Sequence, residues 1–268
     1  MIQRLGLIAG NGDFPLLFAS AAKAKRMELV CVALKDEASP KLENLVDTIY
    51  WISFGEVQKV IEIFKKEKIR KAVMLGGIKK VRFFKDRPAV DEGGSAILRL
   101  AKDKKDLTLF KAAAMFLRLH GITLVSALFC LRENIAKKGC LTKRHPSPKE
   151  WEDIRFGFTI AKKLSGLDIG QTVVVKDKVV LSVEAIEGTD EAIRRAAHLA
   201  SGDVVVVKVA RPKQDLRFDV PVIGLHTVAS LREAKASCLA IEKNKTLIAD
   251  KEQLTRRADE AGISIVVV

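Results

Sequence analysis

Hydrophobic positions in the first half of the chain form short unbroken runs, separated by longer stretches where they recur every three or four residues. The runs lie at 5–9, 29–33, 48–52, 71–75 and 122–125, and continuous apolar segments of this length suit strands covered on both faces of a parallel sheet. Between them, residues 15–26 are Ala-rich and amphipathic with Pro15 near the first turn. Residues 57–68 set Val57, Val60, Ile61 and Phe64 on one stripe. Both segments predict helices. The alternation predicts a doubly wound, mostly parallel α/β (Rossmann-like) domain over residues 1–133.

From 134 to 147 the pattern breaks into a polar, basic stretch with Pro146 and Pro148 at its end, which disfavours helix in the residue before each proline and predicts a linker. A second domain then spans 148–268. Ser147 is placed to cap a helix through residue 163, with Glu150 as its capping-box partner. The β-branched runs at 172–175, 179–183, 203–208 and 263–267 predict strands. Lys176-Asp177-Lys178 reads as a hairpin turn between the first two, so this second α/β domain has a mixed sheet.

A length of 268 residues accommodates two such domains, and 48% hydrophobic against 30% charged residues excludes a disordered chain. Cys31, Cys130, Cys140 and Cys238 are too few for a dense disulfide framework and too scattered for a structural zinc site, which fits a reducing cytoplasm. No signal peptide is legible at the start, and no apolar stretch reaches the roughly 20 residues that a membrane-spanning helix needs. His120, His145, His198 and His226 form no His-Glu-x-x-His pair, and no Gly-x-Ser-x-Gly elbow occurs. The net charge of +14 implies attraction to polyanions without choosing among nucleic acid, acidic lipid and phosphorylated metabolites.

Two glycine turns follow strands in the first half. Gly10-Asn11-Gly12 precedes a helix, where backbone N–H groups can receive phosphate. Gly76-Gly77, with Lys79 just beyond, could meet an anion beside it. Pro15 stands where a dinucleotide fingerprint needs its third glycine, so ordinary strand-to-helix turns explain both as well. In the second half, Glu184, Glu187, Thr189, Asp190 and Glu191 crowd a strand end and a helix start. Asp190 and Glu191 suit the helix dipole. Downstream, Arg211, Lys213, Gln214, Asp215, Arg217 and Asp219 follow the most hydrophobic strand, where an open α/β sheet places ligands. Basic groups there can neutralise phosphate while carboxylates hold a divalent cation. Charges pairing locally on a solvated loop are the alternative.

Four blocks in order, at 7–15, 167–171, 183–191 and 213–224, together resemble the LpxI family of UDP-2,3-diacylglucosamine pyrophosphatases. The resemblance implies a cytoplasmic hydrolase that uses Mg²⁺, or another divalent cation such as Mn²⁺. It would split UDP-2,3-diacylglucosamine into 2,3-diacylglucosamine 1-phosphate (lipid X) and UMP in lipid A biosynthesis. It also implies two α/β domains with the lipid between them, a homodimer, and a catalytic aspartate matching Asp219, with Asp215 the neighbouring candidate. On this reading Asp219, Glu184 and Glu187 hold the metal. Gly10, Asn11, Gly12, Gly76, Gly77, Lys79, Thr189, Lys213, Gln214 and Arg217 bind substrate. The basic runs at 65–68 and 102–105 allow peripheral contact with an anionic inner membrane. The alternatives are a nucleotide-sugar or dinucleotide enzyme of another reaction class and a basic nucleic-acid-binding protein. Aromatic residues at 6% and the lack of a base-stacking motif argue against nucleic acid as a partner.

Overall fold

The computed structural model describes residues 4–78, 89–103, 105–212 and 220–268. The chain divides into two compact units, one running to Arg132 and the other beginning at Glu133.

The first unit is built on five parallel strands in the order β3-β2-β1-β4-β5: β1 (Arg4–Ala9), β2 (Glu28–Leu34), β3 (Thr48–Ile52), β4 (Lys71–Leu75) and β5 (Thr123–Leu124). The order reverses between β1 and β4, which is the topological switch of a doubly wound sheet. Helix α1 (Phe14–Ala24) has Pro15 in its first turn and buries Phe18, Ala19 and Ala22. Helix α2 (Val57–Lys66) buries Val60, Ile61 and Phe64 of the expected stripe, and Val57 packs against the same cluster from its edge. Helices α3 (Glu92–Leu100) and α4 (Asp106–Leu119) complete that layer, and α5 (Leu128–Leu131) follows β5.

The second unit has a six-stranded mixed sheet in the order β6-β13-β11-β9-β7-β8. Its parallel centre is β9 (Val204–Lys208), β11 (Ala236–Ile241) and β13 (Ser264–Val267). The strands β7 (Thr172–Lys176) and β8 (Val179–Val183) form the expected antiparallel hairpin. A separate parallel pair joins β10 (Val222–Ile223) to β12 (Leu247–Ile248). One face is covered by α6 (Pro148–Gly166), whose Ile154 and Ala161 meet Val173, Val175, Val205 and Val207. The other is covered by α7 (Thr189–Leu199), α8 (Leu225–Glu233) and α9 (Lys251–Glu260) through Ile193, Leu231 and Leu254.

Residues 134–147, expected as a linker, are built into this unit. The strand β6 (Gly139–Cys140) pairs antiparallel with β13, the Ala136 N–H donates to Thr246 O at 2.8 Å, and Asn134 Nδ2 donates to Ile248 O at 3.0 Å. Prolines disfavour helix in the residues before them, but an extended backbone can still pair at a sheet edge. Ser147 caps α6 as expected, with the reciprocal Glu150 bond present.

Candidate active site

The strands of the first unit end at the two glycine turns, and the sheet brings them together. Ala9 and Leu75 are partners on adjacent strands. Beyond them the Gly10 N–H donates to Leu75 O at 2.9 Å, the Asn11 N–H to Gly77 O at 2.8 Å, and the Gly77 N–H to Asn11 O at 3.1 Å. A side chain at Gly10 would run into the Gly77 carbonyl, and one at Gly76, where φ is 85°, would lie 2.5 Å from Asn11 O. The close approach therefore requires glycine at both positions. It also engages the Asn11 and Gly77 amides with each other rather than with a ligand. Lys79 lies outside the described residues.

In the second unit, three separated segments converge on the end of the sheet where β8 and β9 finish and β7 begins. The Glu184 N–H donates to Thr172 O at 2.9 Å, and Lys208 faces Thr172 across the β9–β7 ladder. The Thr189 hydroxyl donates to Glu184 Oε1 at 3.0 Å and accepts from Lys208 Nζ at 3.1 Å, while Glu184 Oε2 accepts from the Gln171 N–H at 3.2 Å. Gly170 lies so close to the Glu184 backbone that any side chain there would collide with it. Asp168 pairs with Arg211 at 2.8 Å, both side chains being mostly buried. Glu184 and Thr189 are thus neighbours, whereas Glu187 turns to Arg195 at 3.0 Å and to the Ala185 N–H at 3.2 Å. Asp190 accepts from Ser230 Oγ at 2.8 Å in the first turn of α7, in keeping with a helix-end role.

The same sheet end carries an ion cluster that sequence order hides. Glu242, which follows β11, accepts from Lys162 Nζ at 3.0 Å, from Lys245 Nζ at 2.8 Å and from the Ala210 N–H at 2.9 Å. Lys162 also donates to Ala210 O at 2.8 Å. Burial alone would raise the Glu242 pKa, but these three donors outweigh it and hold the carboxyl below the ordinary glutamate range. Lys162, Lys208, Glu242 and Lys245 were not singled out in the sequence. The only local signal is a charged residue directly at or after the end of an apolar strand, as at Lys208 and Glu242.

Lys213, Gln214, Asp215, Arg217 and Asp219 lie outside the described residues. The chain leaves this sheet end through Ala210 and Arg211 just before them and resumes at the buried Val220. Among the described residues no group of three His, Cys, Asp or Glu side chains is placed to hold a metal ion. Glu184 and Glu187 have their oxygens on the separate donors named above, so the described residues alone do not fit a divalent cation. Burial pushes the Cys31 and Cys238 thiols up to about 12, which keeps these two protonated.

Two solved structures illustrate how the fold compares with known ones. The biotin carboxylase domain of a thermophilic 2-oxoglutarate carboxylase gives a TM-score of 0.30 at 11% identity, covering 75% of this chain and 33% of that one. A phosphoribosylglycinamide synthetase from Anaerococcus prevotii gives 0.25 at 15%, covering 75% and 44%. This chain spans less than half of either, and a likeness this slight carries no argument about chemistry. Sequence relatives are more telling. The UDP-2,3-diacylglucosamine pyrophosphatase LpxI of Caulobacter vibrioides is 28% identical over all of this chain and 98% of its own length. The LpxI N-terminal domain matches residues 4–133 and the LpxI C-terminal domain residues 137–266, so the chain belongs to the LpxI family.

Proposed function

We propose that this protein hydrolyses the diphosphate of UDP-2,3-diacylglucosamine to 2,3-diacylglucosamine 1-phosphate and UMP, a step of lipid A biosynthesis. The observation that carries the reading is the full-length match to both LpxI domains together with a relative of that name over the whole chain. Water adds to one phosphorus, the bridging P–O bond breaks, and the two phosphates leave as monoesters on UMP and on the lipid. No redox partner is needed.

The chain's own residues supply two of the requirements. Lys208, oriented by Thr189 and Glu184, and Arg211, oriented by Asp168, present fixed positive charge at one sheet end. Fixed charge of this kind stabilises negative charge developing on phosphoryl oxygens. Lys213, Gln214, Asp215, Arg217 and Asp219 follow Arg211 in the sequence. We assign the catalytic carboxylate to Asp219, with Asp215 beside it. The glycine turns at 10–12 and 76–77 and Lys79 contribute to substrate binding through groups other than the mutually bonded Asn11 and Gly77 amides. Mg²⁺ or Mn²⁺ belongs to this reading as a requirement without assigned ligands, as do peripheral contact with anionic membrane and a homodimer.

The test is incubation of purified protein with UDP-2,3-diacylglucosamine, with and without EDTA, following UMP. Release of UMP that EDTA abolishes and Mg²⁺ restores is expected. Asp219→Ala should lower kcat by orders of magnitude with KM little changed. A protein that releases no UMP under any metal condition overturns the reaction, and a fully active Asp219→Ala removes that residue from it.

A further inference from the structure

Ala210 lies fully buried just past the carboxyl end of β9, where the chain leaves the sheet. The last rungs of β9 set Lys208 opposite Thr172 on one side and Ile241 on the other, and the Val209 N–H still reaches Gln171 O at 2.9 Å. At Ala210 charged side chains take over from the ladder. Its N–H donates to Glu242 Oε2 at 2.9 Å, its carbonyl accepts from Lys162 Nζ at 2.8 Å, and Lys162 pairs with Glu242 at 3.0 Å. A mostly buried cation and carboxylate thus close a ring around one residue of backbone.

A buried ion pair is a poor source of stability, because desolvation offsets the attraction and well-packed apolar residues often do as well. What this pair supplies is a fixed direction for the chain, and both partners are themselves held. Lys243 and Asn244 donate their N–H groups to Val268 O and Ala136 O, each at 2.8 Å, and Lys245 Nζ closes back on Glu242. Lys162 stands near the carboxyl end of α6. Asp168, just beyond that end with φ of 61°, reaches Arg211 Nε at 2.8 Å. One helix end therefore holds two consecutive residues, Ala210 by its backbone and Arg211 by its side chain.

From this we infer that Lys162 and Glu242 are positioning residues for Arg211, an inference that rests on the reaction proposed above. They fix the backbone from which the Arg211 side chain starts, and Asp168 fixes the guanidinium. The charge that Arg211 offers a phosphoryl group is then in place before substrate arrives. A side chain without a donor at 162 would leave the buried Ala210 carbonyl unpaired, and a misplacement of about 1 Å at a reacting centre can cost on the order of a hundredfold in rate.

The test is a double-mutant cycle on UMP release from UDP-2,3-diacylglucosamine, with amide hydrogen exchange followed on the same full-length proteins. Lys162→Met should lower kcat about tenfold or more with KM little changed, and Lys162→Arg, which keeps charge and donor, should recover most of it. In an Arg211→Ala background Lys162→Met should cost no further kcat, because its effect passes through Arg211. Glu242→Gln keeps the shape but weakens the acceptor. It should lower kcat and let the Ala210 amide exchange about tenfold faster, and it decides the matter alone if Lys162→Met fails to fold by circular dichroism. A role in stability only would lower the urea midpoint and leave the kcat of folded protein unchanged. The assignment is overturned if folded Lys162→Met and Glu242→Gln keep the wild-type kcat, if Lys162→Met costs as much without Arg211 as with it, or if Arg211→Ala is fully active. A wild type that releases no UMP overturns the reaction and this role with it, whereas UMP release indifferent to residues 162 and 242 overturns this role alone.

Discussion

Glu242 is 7% exposed and carries three donors, so its carboxylate adds to stability only while it is ionised. Its folded pKa lies below the ordinary 4.5, so that stability is fully present above the unfolded value and is lost as pH falls through the folded one. Glu242→Gln should therefore lower the urea midpoint at neutral pH, and the gap to wild type should close as the medium is acidified below about pH 4.5. A constant gap across that range would show that shape, not charge, matters at this position. Residue-scale chemistry of this sort was only half legible. Glu184 and Thr189 stand five positions apart around one turn and could be read together, whereas Lys162 and Glu242 meet across a sequence separation of 80. Glu187, on the same connection between β8 and α7 as Glu184, turns instead to Arg195, because a turn at 186–187 separates the two side chains.

Among the elements, those with a local stop or start signal were plain in the sequence. Ser147 caps α6 through the Glu150 N–H, and Glu150 in turn accepts from the Ser147 N–H at 2.7 Å and from Arg144 at 2.8 Å. Ser147→Ala should cost about 1 kcal/mol in urea denaturation, while Glu150→Ala should cost more because it also removes the carboxylate that accepts from Arg144 Nη2. The β7–β8 hairpin was equally clear: Asp177 and Lys178 take positive φ of 52° and 58°, and the buried Asp153 on α6 accepts both of their N–H groups. Less legible were β11, whose Ala-Ser-Cys-Leu-Ala-Ile lacks strong β-branched character, and β6, two residues long and a strand only because β13 offers an unpaired edge. Helix α6 runs three residues past its expected end, to Gly166.

For the molecule as a whole, a charge of +14 acts on encounter more than on fold. An anionic diphosphate substrate should be steered to the protein, so kcat/KM should fall as salt is raised from low to physiological strength while kcat stays level. A kcat/KM indifferent to salt would mean that the surplus charge does not face the path of approach. No described helix is long and apolar enough to cross a membrane. Family membership, more than charge, gave the charge excess a meaning, since the same +14 would equally attract nucleic acid.

Hydrophobic period, capping residues and turn chemistry are local properties, so the sequence alone determined two α/β layers, a parallel sheet followed by a mixed one, and the glycine turns at strand ends. The strand order 3-2-1-4-5 is a tertiary decision. It placed Gly10 against Gly77 and engaged the Asn11 and Gly77 amides with each other. Tertiary structure also decided that Lys162, Lys245 and Glu242 share one sheet end. Such contacts depend on which chain segments lie side by side after folding, and no periodicity within a single segment encodes that.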